Sequence, residues 1–222
     1  MRLPLPQFTD ENRHPDHIAE VIETATTTFL AQCLEPDSLS FPTMPTFGSW
    51  VKSMDEEEGY KIYALVSYVT SAPIDSVHRA RALGLSLRDL REQQPQIFAM
   101  LVTEFRATIV GFENYHNKVK DNSNKLGDVH QYLPPRPPQI HQGVYRCEPS
   151  EVIHFSEQLD FLPILLQTTE TPPEALIAAT MREIYRLRNA DRNWLIQAGK
   201  KLSILLKDDY DRLRDILRQI HY

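Results

Sequence analysis

The sequence predicts an α+β protein: a small N-terminal β-barrel with an inserted helix, followed by a C-terminal α-helical bundle. Three observations predict it. Up to about residue 112, β-branched and aromatic residues gather in short alternating runs, as in strands that turn one face inward. After Pro149 the apolar period lengthens from two residues to about 3.6, the pitch of a helix. Between these regimes lies Pro134-Pro-Arg-Pro-Pro138, which fits neither. The expected domains are therefore 1–148 and 149–222, in a chain long enough to bury a substantial core.

Each element has a local reason. Residues 1–15 are rich in proline and polar groups, and are expected to be extended. Strands are expected at 17–25, 28–33, 48–54 and 60–70, with Pro45 and Gly48 forming the corner before Trp50. Asp55-Glu-Glu-Glu-Gly59 reads as a solvated hairpin tip, with glycine supplying the left-handed backbone angle. Ser86 is a good helix N-cap with Asp89 three positions on, and Leu87 and Leu90 share a face until Pro95 ends the turn. From Leu101, Val, Phe, Thr and Ile accumulate, which predicts a long strand to about Phe112. Residues 113–128 are polar and aperiodic, the pattern of a long surface loop. The prolines that follow fix φ and withhold donors, so 132–141 is expected to be a rigid crossover anchored by Tyr132 and Ile140.

In the C-terminal part, Ser150 is expected to cap a first helix and Asp160 a short second one over 161–166. Thr171-Pro-Pro-Glu174 is a strong helix start, with proline in the first turn and an acid near the positive end. The stripes are Leu176, Ile177, Thr180, Ile184 and Leu187; then Leu195, Ala198, Leu202 and Leu205; then Leu213, Ile216, Leu217 and Ile220. These faces are expected to bury on one another and on the barrel.

Composition narrows the function classes. The net charge is −6, and ten Lys/Arg against six Asp/Glu from Arg182 onward give +4 there, leaving −10 for the first 181 residues. A polyphosphate track needs positive charge, and aromatics interleaved with Lys/Arg are sparse, so nucleic acid is not the expected partner. No run approaches the eighteen apolar residues of a transmembrane helix, and the Pro-interrupted start is unlike a secretory leader. The expected location is cytoplasmic. Cys33 and Cys147 lack metal or redox spacing and read as free thiols. The phosphate loop, G-x-S-x-G, H-E-x-x-H and the dinucleotide fingerprint are all absent. His14 and His17 flank a proline, and His141 with Cys147 has no third ligand, so neither a metal nor a cofactor is expected.

Two sets of cations are the candidate contact residues. His78, Arg79 and Arg81 lie in the connection after the fourth strand, with Arg106, Arg136 and Arg146 as neighbours if the barrel closes. Guanidinium groups there suit phosphate or a partner's carboxylates. Arg182, Arg186, Lys200, Lys201, Arg212 and Arg214 form a candidate basic face on the helices.

The pattern I-x-x-V-x-E-[ST]-x-x-x-x-F from Ile18, the glycine corner before Trp50-Val51, and A-x-V at Ala64 together resemble the HAS barrel. Pro134 to Cys147 resembles the closing part of that barrel. That module occurs at the N-terminus of HerA-type ATPases and in subunits of the ATP synthase head, and the whole chain looks most like stand-alone cyanobacterial members. The resemblance implies a non-enzymatic docking or assembly element, whose protein partner is a larger complex such as an ATPase. An alternative is a small-molecule or nucleotide site between barrel and helices; another is nucleic-acid binding by the helices.

Overall fold

The computed structural model describes residues 14–35, 44–55, 57–74, 81–94, 96–114 and 127–220. The strands are β1 (His17–Thr24), β2 (Thr28–Cys33), β3 (Trp50–Asp55), β4 (Tyr60–Pro73), β5 (Leu101–Asn114), β6 (Val129–His130) and β7 (Gly143–Arg146). Helices α1 (Leu87–Gln93) and α2 (Gln96–Ala99) separate β4 from β5. After β7 come α3 (Pro149–Phe155), α4 (Leu162–Leu166), α5 (Pro173–Leu187), α6 (Arg192–Leu205) and α7 (Tyr210–Ile220).

The sheet runs β2-β1-β7-β3-β4-β5-β6, and a further pairing of β2 with β5 closes six of its strands into a barrel, leaving β6 as an appendage. All its pairings are antiparallel. Inside lie Ala19, Val21, Phe29, Ala31, Val51, Ile62, Ala64, Val66, Phe105, Ala107, Ile109 and Val144, at alternate positions along their strands, as the two-residue period requires.

The barrel's outer face is not all wet. Trp50, Tyr63, Leu65 and Val110 point outward into a second core shared with Phe155, Phe161, Leu165, Leu176, Ile177, Trp194 and Ile216. Residues 62–67 of β4 are therefore buried on both faces, which explains an unbroken run where a one-sided strand would alternate. The helices sit closely enough to demand glycine twice. Gly48 has φ of +80°, and a Cβ there would lie 2.6 Å from that of Ala179 on α5. At Gly111 a Cβ would meet the His130 carbonyl oxygen at 2.3 Å.

Several expectations need correction. Asp55 is not a solvated tip residue: it is fully buried, while Gly59 does take a φ of +68°. Glu113 lies in β5 rather than in a loop and is also fully buried, whereas 115–126 fall outside the described residues. The crossover is not anchored by Tyr132 and Ile140, which are 58% and 54% exposed. Pro134 and Pro138 are buried instead. Gln131 ties the crossover down as well, its side-chain amide donating to the carbonyls of Phe155 and Gln158 and its oxygen accepting from Asp160 N and Phe161 N. Ser150 does not cap α3, which begins with a Glu148–Glu151 capping box and Pro149 in the first turn. Asp160 bonds Lys201 at 2.7 Å and does not cap α4.

Helix α1 forms as expected, with the Ser86 hydroxyl accepting from Asp89 N. Asp191 likewise caps α6. Trp194 was missed from the α6 stripe; it is buried, and its indole N–H donates to the Ser156 carbonyl at 2.9 Å. No described helix is long and apolar enough to cross a membrane.

Candidate functional site

Among the described residues, one surface feature projects beyond the barrel. Strands β4 and β5 run fourteen residues each, past the point where β3 stops pairing; β2 flanks β5 as far as Glu104, so Ser71–Pro73 and Leu101–Thr103 form the two-stranded end of an arm, paired as far as Pro73 with Leu101. Its last backbone bond runs from Ile74 N to Met100 O at 2.9 Å. Beyond it, α1 buries no residue at all. Leu83, Leu85 and Leu87 are 47%, 39% and 56% exposed, and Ile74 at the arm's far end is 61% exposed. A helix without a buried face gains nothing from tertiary packing, and these side chains stand in water.

The predicted cations do not gather around this arm. His78 and Arg79 lie outside the described residues, and Arg81 is exposed just before α1. Arg106 pairs with Glu170 at 2.6 Å and approaches Glu23 at 4.0 Å. Arg136 donates two hydrogen bonds to Asp55, at 2.6 and 2.7 Å, and reaches Glu57 at 3.0 Å. The Arg136 hydrogen bonds hold the Asp55 carboxyl below its ordinary range despite burial. Each arginine thus serves its own carboxylates, and Arg136 pins the crossover to the β3–β4 corner.

Arg146 differs. Among the described residues it has no ion pair, and it lines a cleft of about 350 Å³ between the barrel and α5. Ile18, Trp50, Cys147, Glu183 and Arg186 share that cleft. The structure so brings together one residue from each candidate set, although Arg186 is already forked onto Glu183 at 2.6 and 3.0 Å.

The C-terminal cations are largely neutralised. Arg212 bonds Glu174, Arg214 bonds Asp211 at 2.9 Å, Lys201 bonds Asp160, and Arg182 donates to the Gln219 carbonyl. Lys200 is exposed on α6. Among the described residues, no three His, Cys, Asp or Glu side chains gather as a metal site would need. His17 stacks on Tyr145 with centroids 4.8 Å apart.

Sequence reasoning missed a buried ionic network where the barrel meets α3. Glu151 accepts from Lys52 at 2.7 Å and Lys61 at 2.9 Å, and Lys61 also lies 3.3 Å from Glu113. Glu113 in turn accepts from the Tyr63 hydroxyl at 2.8 Å and Gly127 N at 2.7 Å. Burial opposes ionisation of Glu151, but the two lysines outweigh it and keep its pKa below the ordinary value. Burial likewise opposes the charge on Lys61, and Glu151 with Glu113 reverses that. Burial, followed by Glu151, pushes the neighbouring Cys147 thiol well above its usual pKa, and burial takes Cys33 to about 11, so both are poor nucleophiles. The available signal was Lys52 and Lys61 standing inside apolar strands. The network joins β3, β4 and β5 to α3, and nothing in it resembles a nucleophile with its base.

No curated protein matches the chain. Residues 18–115 match the family model of the HAS barrel domain, a span that takes in β1 to β5 but not the later strand β7 that completes the closed barrel. The N-terminal part of this chain is thus a HAS barrel domain.

Proposed function

We propose that this chain is a non-enzymatic interaction protein that docks on a larger protein complex through the β4–β5 arm. The observation that carries this reading is α1, a helix with no buried residue, which with the segment just before it presents Leu83, Leu85 and Leu87 to solvent. Exposed aliphatic side chains grouped on a projecting element suit a partner's apolar groove. An ATPase assembly is the partner class the barrel family suggests. In this reading 1–148 is the docking domain, and 149–222 braces the barrel from outside in the cytoplasm.

The test is affinity capture of the tagged chain from native lysate, with nuclease treatment, beside the L83S/L85S/L87S variant. Stoichiometric recovery of one nuclease-resistant complex by the wild type, and its loss with the variant, is the expected result. Equal recovery by both would overturn the arm as the docking element. Because these side chains are exposed, the variant should change stability by less than about 0.5 kcal/mol, so lost capture would not reflect unfolding.

A second reading rests on the cleft of about 350 Å³ that holds Arg146 and Arg186 between barrel and helices. Its size and the Arg146 guanidinium, which has no ion pair among the described residues, suit a small anionic ligand. Nucleic-acid binding has less support, since most C-terminal cations are occupied by the chain's own acceptors.

A further inference from the structure

From Tyr68 onward, β4 is an edge strand. Strand β3 pairs with β4 over 60–65, and the last bonds on that side join Val66 to Gly48 and Ser49. From Tyr68 to Pro73 only β5 pairs with it, and no described residue bonds to its other side. The direction of the free groups follows from the ladder. Ile74 N bonds toward β5, and the register is regular from Tyr68 to Pro73. Residues 68, 70, 72 and 74 therefore bond inward to β5, while Val69 and Ser71 turn both N–H and C=O outward. Pro73 has no N–H and ends the row.

Between the bulge at Val66/Tyr68 and Pro73, this edge is not protected by charge. Tyr68-Val-Thr-Ser-Ala72 has no charged side chain, and Tyr68, Ser71 and Ala72 are exposed. An uncharged, β-prone edge with a free donor–acceptor row is a template for another strand. The segment is also self-complementary. With a two-fold axis through Thr70, antiparallel pairing sets Val69 opposite Ser71 of a second copy, and Ser71 opposite Val69. The outward residues of each copy then meet as hydrogen-bonded pairs, giving four reciprocal N–H···O bonds. Tyr68 faces Ala72 across the seam, and Thr70 faces Thr70 with no like charges opposed. The pairing stops short of Val66, whose outer side is taken by Gly48 and Ser49 of its own chain.

We propose that the chain forms a two-fold dimer by antiparallel pairing of β4 along Tyr68–Ala72. The proposal is independent of the docking reading, since Leu83, Leu85 and Leu87 lie beyond Ile74. A dimer would carry two arms and engage a multimeric partner bivalently.

Sedimentation equilibrium of the purified full chain over a concentration series up to about 100 μM tests it. The expected wild-type mass is twice 25.7 kDa. T70K sets two ammonium groups together on the axis and should weaken the dimer at least about tenfold. S71P removes an outward N–H that no described residue bonds, and should do the same. T70C should crosslink two copies on mild oxidation, because the axial pair has the short Cβ spacing of a non-hydrogen-bonded site. The wild type, with Cys33 and Cys147 only, is the control, and the crosslink decides the matter should T70K and S71P fail to fold. A wild type that stays at 25.7 kDa throughout, or a dimer that resists T70K and S71P and gives no T70C crosslink, overturns the proposal.

Discussion

Replacing Glu151 by glutamine removes one charge from the buried network and preserves its shape. The side chain is 7% exposed, and its partners Lys52 and Lys61 are 15% and 12% exposed, so solvent screens little of the loss. Removing one partner of a buried pair typically costs about 3–5 kcal/mol, because the remaining charge stays desolvated. Lys61 keeps Glu113 at 3.3 Å and Lys52 is the more accessible lysine, which places the expected cost near the lower end, about 3 kcal/mol. For a chain of this size that corresponds to a fall in Tm of about 6–12 °C.

Thermal unfolding followed by circular dichroism at pH 7 measures the cost, and a pH series tests its cause. Glu151 has a folded-state pKa below its ordinary 4.5, so its contribution is complete above about pH 4.5 and disappears as pH falls through the folded value. The gap between wild type and E151Q should therefore narrow below pH 4.5, since the other carboxylates titrate in both proteins. Lys61 is raised above 10.5, so its contribution is complete below pH 10.5 and lost as pH climbs through its folded value. A Tm within about 2 °C of wild type at pH 7, or a gap that stays constant down to pH 3, would refute the network as a stabilising junction.

R136A should loosen the crossover, because it strips two hydrogen bonds from the fully buried Asp55. Limited proteolysis should then cut within 131–142 faster than in the wild type, and an unchanged pattern would argue against the pin. G48A combines a left-handed φ of +80° with a Cβ 2.6 Å from that of Ala179, so it should lower stability by about 3 kcal/mol in urea unfolding. Retained stability would mean that the barrel–α5 contact gives way easily.

The sequence by itself determined whatever depends on neighbours in the chain. Strand β2 at Thr28–Cys33, the Ser86 cap of α1 and the C-terminal stripes, apart from Leu217 at 37% exposed, follow from local periodicity and capping chemistry. Glycine at 59 was legible for the same reason, since a tight turn needs its backbone freedom. Only the tertiary structure decided which charges are buried. Asp55 and Glu113 read as loop residues because acids in polar stretches usually face water; the partners that make their burial tolerable lie 81 residues away at Arg136 and 50 away at Tyr63. The free edge of β4 was hidden likewise, since its exposure depends on where β3 stops pairing. The double burial of residues 62–67 shows both effects: composition marked a strand, and the helices packed outside the barrel explain why it lacks a polar face.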